Sequence, residues 1–381
     1  MLEVHMAIKR PLMWSNILFI IGYHIALIAL LPIYFIFFKT SWLLFGISFG
    51  LLYSTGLAIT AGYHRLFSHQ TYKANKWVEA VMLFFGTMAT QGSALRWAND
   101  HRLHHAHIDE DQDPYTVTRG FWHAHIFWMF REQAPIEKKV VSDLLRNKML
   151  VFQDKYYEIL MVITNTLATL LIGWITGDYV GAFIISWLLR QCLLHHFTWF
   201  INSLAHYWGH QNYSTEHSAV DNYILCLLTF GEGYHNYHHT FSMDYRNGIR
   251  WYHFDPTKWL IWTLNKLGLA WGLRKVEKSR ISKQMITEHK RALLEKLQQV
   301  VTTKRAELET KASQLAESLT QKLQTMNDLV SKYKSYRSDL NPIPETIKML
   351  KREIHQLRKS LRREWSHWRR FSKQVMRLKA A

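Results

Sequence analysis

Three short segments of the sequence, GEGYHNYHHTF, HRLHH and HRLFSH, are unusually rich in histidine, and one more histidine follows the letters NSLA. Together they supply nine histidines: His64, His69, His101, His104, His105, His206, His235, His238 and His239. Imidazole binds iron, zinc, copper and nickel, whereas a structural zinc site closes at four ligands and commonly includes cysteine. The two cysteines, Cys192 and Cys226, lie in apolar stretches. Nine histidines therefore predict a site for two metal ions.

The spacing within these segments suits ligands carried on helices. Residues i, i+3 and i+4 share one helix face, so the histidines of HRLHH are predicted to point the same way, and HNYHH repeats the pattern. Asn202 stands four residues before His206 and is a candidate to hold a metal-bound water. His64 and His69 are five residues apart, which a straight α-helix does not place on one face. That pair predicts either an irregular turn at a helix end or two different metals.

Four apolar stretches must position these histidines: residues 14–38, 41–63, 157–177 and 179–201. Each is long enough for a helix to cross a hydrocarbon core of about 30 Å. They pair into two hairpins with short links, which leaves the histidine segments and nearly all Lys and Arg on one side. The positive-inside rule makes that side, with both termini, cytoplasmic. The predicted fold is an all-α integral membrane protein, with four transmembrane helices in two hairpins and the histidine segments together at the cytoplasmic face.

Other features of residues 1–274 add detail to this prediction. A shorter apolar stretch at 78–90 predicts a buried or interfacial helix. Arg190, inside the fourth long stretch, would also suit a large soluble core, which is the alternative fold; in a membrane it must be buried against protein or snorkel. The remaining histidines, among them His24, His125 and His196, are predicted to be structural or to support the ligands. Two cysteines exclude a disulfide framework.

The end of the chain has a different composition. Residues 274–381 carry 27 Lys and Arg against 11 Asp and Glu, so they hold +16 of the net charge of +18. Apolar residues recur at coiled-coil spacing from Met285 to Tyr336, including Val301, and again from Leu350 to Val375, with the helix-breaking letters NPIPE (341–345) between them. The sequence predicts a membrane domain over 1–274 and a basic, coiled-coil-like helical hairpin over 275–381. Its basic face could meet acidic lipid, an acidic electron carrier or a second copy; nucleic acid is not expected.

Four segments together carry a family resemblance: GYHRLFSH, WANDHRLHHAH followed by DP, TWFINSLAH and GEGYHNYHHTF. In order, interval and flanking residues they closely resemble the membrane acyl-CoA desaturases, the stearoyl-CoA Δ9 desaturase family, over about residues 10–274. The resemblance implies four transmembrane helices under a cytosolic helical cap that holds a di-iron centre. The nine histidines are its implied ligands, with Asn202 acting through a water. It implies O2-dependent insertion of a cis double bond, at Δ9, into the saturated acyl chain of a fatty acyl thioester. The cofactors implied are two Fe²⁺ ions, with O2 as co-substrate and an external electron donor.

The resemblance also implies a bent tunnel for the acyl chain. The residues expected to contact the substrate are Asn16, Leu52, Gly56, Gln91, Trp97, Asn99, Asp100, Arg119, Trp128 and Thr198. Of these, Leu52 and Gly56 match the far end of the tunnel. Asn99 and Gly92 stand where vertebrate members carry a basic and a polar residue. An acyl chain on a phospholipid or a carrier protein is therefore an alternative to acyl-CoA.

Two further expectations concern the reaction and its setting. A hydroxylase or alkane monooxygenase uses similar histidine clusters and would add oxygen instead of desaturating, whereas a haem carrier needs one or two axial ligands and leaves most of the nine unexplained. The tail lacks the letters HPGG of a haem-binding cytochrome b5 domain. Electrons are therefore expected from a separate ferredoxin, a flavodoxin-like protein or a cytochrome b5-like reductase system. The predicted location is a bacterial inner membrane.

Overall fold

The computed structural model describes residues 10–300, 304–338 and 343–378. It divides into two compact units. The membrane body contains the described residues up to Gln211 together with Glu216–Lys275. The tail unit contains Asn212–Thr215 and the described residues from Val276 onward.

The membrane body is helical apart from one small sheet. Its first half contains α1 (Trp14–Phe37), α2 (Trp42–Leu57), a π-helix (Ala58–Ser68), α3 (Lys76–Met88), α4 (Ala94–Ala106), α5 (Phe121–His125) and α6 (Lys148–Lys155). Its second half contains α7 (Tyr157–Thr176), α8 (Tyr179–Gly181), a second π-helix (Ala182–Leu189), α9 (Arg190–Asn202), α10 (Tyr223–Leu228), α11 (His235–Thr240) and α12 (Pro256–Lys266). Short 3-10 turns lie at Val117–Arg119, Phe127–Phe130, Leu144–Arg146 and Leu204–His206. Strands β1 (Lys73–Ala74) and β2 (Ala270–Trp271) pair antiparallel, with Lys73 opposite Trp271.

Four helical segments among the described residues are long and apolar enough to cross a membrane: Trp14–Phe37, Trp42–Ser68, Tyr157–Thr176 and Tyr179–His206. This confirms the predicted fold class. The second and fourth segments extend beyond the predicted apolar stretches. A π-helix continues the second segment past His64, and a 3-10 turn continues the fourth as far as His206. Each link is short: Ser41 caps α2 through a hydrogen bond from Leu44 N, and Asp178 caps α8 through one from Gly181 N. The short links keep both histidine-bearing ends on the same side.

Two apolar clusters fix the helices of the body. In one, Ile59 and Leu66 of the first π-helix pack with Met82 of α3 and Leu95 of α4, all buried. In the other, residues of α1 and α2 pack with the second π-helix. Helix α3 has the two-sided character that the sequence predicts, since Met82 is buried while Trp77 is 82% exposed. The first cluster therefore joins the two elements that carry four of the nine histidines, and His69 directly follows the first of them.

Arg190 is buried inside the body, at the start of α9. Its Nε donates to the Ser186 carbonyl at 2.8 Å, and Nη2 donates to Oδ1 of Asn165 on α7 at 2.6 Å. Nη1 lies 3.3 Å from the Met88 carbonyl and 3.5 Å from Thr55 Oγ1. The guanidinium is therefore held by carbonyl and hydroxyl oxygens of the protein and does not snorkel to the membrane surface.

The tail unit contains three helices: α13 (Lys278–Gln298), α14 (Arg305–Arg337) and α15 (Pro344–Met376). The predicted hairpin corresponds to α14 and α15; the first periodic stretch is divided, so that α13 is a separate helix. The buried core of the tail unit includes Leu293 of α13, Leu319 of α14, and Trp368 and Phe371 of α15. Val301 and the start of the NPIPE segment lie outside the described residues.

Candidate metal centre

The nine histidines of the sequence motifs meet in two groups. The five-histidine group contains His64, His69, His101, His105 and His238. The four-histidine group contains His104, His206, His235 and His239. Within each group one nitrogen of every ring lies within 4.8 Å of the others. The groups adjoin, because the rings of His105 and His239 stack with 4.1 Å between their centroids. The arrangement is a pair of neighbouring imidazole cages.

Two short helices each contribute to both groups. On α4, His101 and His105 are one turn apart and enter the five-histidine group, whereas His104 enters the other. On α11 the division is reversed, since His235 and His239 enter the four-histidine group and His238 the five-histidine group. The i, i+3, i+4 pattern was predicted to aim three rings one way. Positions i, i+3 and i+4 of a helix point in somewhat different directions. In the structure this difference directs the three rings of each helix into two neighbouring groups.

The π-helix explains how His64 and His69 reach one group. Its hydrogen bonds join residues i and i+5, and the His69 amide donates to the His64 carbonyl at 3.0 Å. A spacing of five therefore places both rings on one side, and they lie 4.8 Å apart between centroids. Of the two sequence-based alternatives, the irregular turn is present, and both rings belong to the same group.

Hydrogen bonds at the Nδ1 atoms orient several rings. His64 Nδ1 lies 3.0 Å from Glu232 Oε2, and His104 Nδ1 lies 2.9 Å from Asp113 Oδ2. His206 Nδ1 lies 2.7 Å from Ser218 Oγ. A carboxylate can only accept a hydrogen bond, so Nδ1 carries the hydrogen and Nε2 presents a lone pair in the neutral ring. These contacts fix the tautomer that binds a metal through Nε2.

The Nε2 atoms within each group converge at distances that suit ligands of one ion. His69 and His101 place theirs 2.8 Å apart, and His235 lies 3.0 Å from both His206 and His239. Burial lowers the pKa of His69, His101 and His235 well below the usual value, so these rings are neutral near pH 7. Two nitrogens bound at right angles to one ion, each about 2.1 Å from it, would lie about 3.0 Å apart. The donor set fits a metal ion in each group.

Carboxylates behind the rings were not singled out from the sequence. Glu232 also accepts from Arg65 Nη2 at 2.8 Å, and Arg65 in turn contacts Asp255 at 3.0 Å. Burial alone raises the pKa of Glu232, but the Arg65 charge lowers it to about 2. Glu232 is therefore ionised and bridges His64 to the interior. Glu232 lies within the motif GEGYHNYHH, and Asp113 is the aspartate of the DP that follows HRLHH. Only the fold shows which histidine ring each carboxylate contacts.

A cavity of about 1300 Å³ opens beside both groups. His64 and His101 of the five-histidine group and His104 and His235 of the four-histidine group line it, as does Asn202. Its apolar lining includes Phe19, Ile20, Ile59, Met161, Val162 and Trp199. An apolar cavity bounded by histidines of both groups can hold a long hydrocarbon chain against two metals.

Six of the ten residues predicted to contact substrate line this cavity: Asn16, Gln91, Trp97, Asp100, Trp128 and Thr198. Gln91 Nε2 donates to Thr198 Oγ1 at 2.9 Å, which joins the loop before α4 to α9. The sequence did not single out Arg96 and Lys155, which also line the cavity.

The other four predicted substrate residues do not line the cavity as described. A Cβ added at Gly56 would lie 2.2 Å from the Phe230 ring, and Leu52 belongs to the same buried cluster as that ring. The side chain of Asn99 is buried between Asp100 and the Glu137 amide. Arg119 is paired with Asp111. Leu52, Gly56 and Asn99 are buried, whereas Arg119 is exposed. Contact of these four residues with substrate stays a prediction.

The sequence profile of the fatty acid desaturases matches residues 40–273, which contain all nine histidines. The chain belongs to the fatty acid desaturase family. Among its relatives, acyl-CoA desaturase 1 of Saccharomyces cerevisiae is 35% identical over 75% of the chain. The sn-2 palmitoyl-lipid 9-desaturase of Nostoc is 36% identical over 68% of the chain and 89% of its own length. Stearoyl-CoA desaturase 4 of Mus musculus is 35% identical over 71% of the chain and 78% of its own length.

The profile match falls within the residue range of the membrane body. The matched region spans 56% of the yeast relative's length. The four membrane-crossing helices and the family membership together identify an integral membrane protein. The profile match ends at residue 273, shortly before the tail unit begins at Val276.

Proposed function

We propose that this protein is an O2-dependent fatty acyl desaturase that inserts a cis double bond, at Δ9, into a saturated acyl chain. The observation that carries the proposal is the apolar cavity bounded by histidines of both groups. The relatives named acyl-CoA desaturase and lipid 9-desaturase support the same reaction class. Overall, two hydrogens leave adjacent carbons while O2 and two electrons from an external donor, with two protons, yield two waters.

The proposed cofactor is a pair of iron ions, one in each histidine group, with Asn202 holding a water beside the four-histidine group. When bound, the irons supply O2 activation and the oxidising power needed to remove hydrogen from an unactivated methylene. Iron, like zinc, accepts imidazole ligands, and the neutral rings and their Nδ1 contacts favour binding through Nε2.

The protein's own contribution is positioning and exclusion of water. Trp97 lines the cavity and stacks against His101, with 4.8 Å between ring centroids, so an acyl chain beside this ring also lies beside the five-histidine group. The Gln91–Thr198 hydrogen bond would hold the wall of the cavity in a fixed shape. A chain held in one orientation presents the same pair of carbons at every turnover. No side chain is required as a nucleophile.

The head group has two candidates, acyl-CoA and an acyl lipid. Acyl-CoA is supported by the yeast and mouse relatives. An acyl lipid is favoured by the charges of the cavity lining, where Arg96 and Lys155 accompany five carboxylates: Asp100, Glu132, Asp154, Glu158 and Glu232. A polyanionic carrier is repelled by such an excess of carboxylates, whereas a neutral or zwitterionic lipid is not.

The setting proposed is a bacterial inner membrane with the histidine groups and both termini on the cytoplasmic side. The basic tail and the short links of the two hairpins support this orientation. Electrons would come from a separate carrier, a ferredoxin, a flavodoxin-like protein or a cytochrome b5-like reductase system.

Expression in a desaturase-deficient host, followed by analysis of its fatty acids, tests the function. We expect a new cis-monounsaturated acid at Δ9 that is absent with the His238→Ala variant. A hydroxylated product would establish the hydroxylase or monooxygenase alternative instead. Purified protein supplied with either stearoyl-CoA or phosphatidylcholine carrying labelled stearoyl chains then separates the two head-group candidates.

A further inference from the structure

A second set of histidines lies inside the membrane-crossing segments, away from the nine described above. His24 of α1 and both Cys192 and His196 of α9 place one ligand atom each within 4.8 Å of one another. Cys192 and His196 are four residues apart and share a helix face. His24 and Cys192 fall near the middle of their membrane-crossing segments, and His196 lies one helical turn after Cys192. The proposed desaturase reaction uses none of them.

Hydrogen bonds fix the tautomer of His24. Its Nδ1 lies 2.7 Å from the carbonyl oxygen of Ile20. A carbonyl oxygen can only accept, so Nδ1 carries the hydrogen of the neutral ring. The Nε2 atom of His24 therefore presents a lone pair, and it points at Nε2 of His196 from a distance of 3.1 Å.

A second chain of hydrogen bonds reaches His196 from the other side. Ser203 Oγ donates to the Trp199 carbonyl at 3.0 Å, so it accepts from His125 Nδ1 at 2.9 Å. Neutral His125 then accepts at Nε2 from His196 Nδ1, which lies 3.0 Å away. Consequently Nε2 of His196 also presents a lone pair, and the two lone pairs face each other.

We propose that His24, His196 and Cys192 form a binding site for one Cu⁺ ion that joins α1 to α9. Two imidazole nitrogens about 2.0–2.1 Å from an ion lie about 3.0–3.4 Å apart, close to the distance between these two Nε2 atoms. Each ring anchors its other nitrogen, through Ile20 and His125, as metal-bound histidines do. Thiolate sulfur selects soft ions such as Cu⁺.

Charge distinguishes Cu⁺ from Zn²⁺ at this depth. A charge near the middle of a bilayer is costly. Binding Cu⁺ releases the Cys192 thiol proton to solvent, and the resulting thiolate makes the complex with two neutral imidazoles electrically neutral. Zn²⁺ in the same site would leave one positive charge. The inference is independent of the proposed desaturase function.

The test uses the full-length protein in detergent, with the nine-histidine centre first loaded with Fe²⁺ under anaerobic, reducing conditions. Cu⁺ is then titrated in competition with a chromophoric copper chelator. We expect one Cu⁺ per chain to resist the chelator, with sulfur and nitrogen neighbours in its X-ray absorption spectrum. Cys192→Ser should weaken this binding more than about 100-fold, because even residues behind the ligands contribute 10–100-fold.

Cys226→Ser is the matched control, since Cys226 is the other cysteine of the chain and lies outside the proposed site. It should keep the full Cu⁺ affinity, and iron content reports folding in every variant. His196→Gln should lose the ion as Cys192→Ser does, so the outcome does not depend on one variant. Retention of the ion by both ligand variants would overturn the proposal. So would failure of the unmodified protein to hold Cu⁺, which would mean that a shared proton, or the Ser203 hydroxyl turned toward His125, satisfies the rings instead.

Discussion

At the scale of single residues, the division of the histidines into two groups gives a specific expectation for iron. His238→Ala removes a ligand from the five-histidine group and His104→Ala removes one from the four-histidine group. Each should reduce iron from two ions per chain to about one and lower turnover by more than about 100-fold, because the reaction needs both ions and even supporting residues contribute 10–100-fold. Metal analysis and product formation are the measurements.

His107→Ala provides the matched control for these variants. It lies just after α4, its side chain is 37% exposed, and it pairs with Glu110 instead of joining either group. It should keep both irons and full turnover. Full activity in His104→Ala or His238→Ala would contradict the assignment of the ligands.

The buried carboxylate Glu232 should contribute stability that depends on pH. The charge of Arg65 lowers the pKa of Glu232 to about 2 from its usual 4.5, although burial alone acts in the opposite direction. Its contribution is therefore complete above about pH 4.5 and is lost as the pH falls toward 2. Glu232→Gln should lose about 3 kcal/mol at pH 7, measured as a lower thermal midpoint in detergent.

The difference between wild type and Glu232→Gln should shrink as the pH is lowered from 5 toward 3. Glu110→Gln is the control, since Glu110 is 60% exposed and should not change the midpoint. A difference of equal size at every pH would show that Glu232 acts through packing and not through its charge.

The sequence predicted the nine candidate ligands because histidine letters at helical spacing are rare and lie next to the ends of apolar stretches. It did not predict which ring joins which group, since that depends on the angle between α4 and α11. The surroundings of a predicted substrate residue are equally hard to read from the sequence. Phe230, which lies 174 residues after Gly56, packs against that glycine, and only the fold shows this contact.

At the scale of elements, Gly56 makes a test of packing in α2. A methyl group there would overlap the Phe230 ring at 2.2 Å, whereas one at Gly46 or Gly50 meets nothing within 4 Å. Gly56→Ala should therefore destabilise the body by about 1–3 kcal/mol, with product chain length unchanged. Gly50→Ala, on the same helix, is the control and should be neutral or slightly stabilising. Thermal midpoint and product analysis are the measurements for both variants. A change to shorter products in Gly56→Ala would support the predicted tunnel end at this position.

The π-helix at 58–68 shows what sequence periodicity can miss at this scale. The apolar residues predicted a straight span that ends at residue 63. The five-residue spacing of His64 and His69 did not fit a straight α-helix. The irregular spacing was the signal of a wider turn, but i→i+5 hydrogen bonding depends on packing against α3 and α4, which the local sequence does not reveal.

At the scale of the whole molecule, the tail unit offers a test of electrostatic docking. A groove of about 680 Å³ between α14 and α15 is lined by Lys334, Arg337, Lys351 and Arg358. If this basic face binds an acidic electron carrier, Lys334→Glu combined with Arg358→Glu should slow turnover with the native donor at low salt by about tenfold. High salt should remove the difference by screening beyond a Debye length of about 8 Å. With a chemical reductant the rates should be equal.

Lys348→Glu combined with Lys373→Glu is the control, because it changes the net charge equally at exposed positions outside the groove. It should leave turnover nearly unchanged. Equal effects of the two pairs would assign the tail a general charge effect. Truncation after Arg274 would be a less direct test, because Thr215 belongs to the tail unit and its hydroxyl donates to Glu288 of α13.

The buried Arg190 constrains how the chain is made. A helix that enters the bilayer alone with an arginine near its centre meets a penalty of about 2.5–3.5 kcal/mol, and here the compensating oxygen of Asn165 lies on the preceding span. The third and fourth spans should therefore leave the translocon as a pair. Asn165→Ala should leave the fourth span stalled or reversed in a glycosylation-mapping assay, and Arg190→Leu should restore its insertion. A residue that no substrate touches would then determine whether the enzyme reaches its final topology.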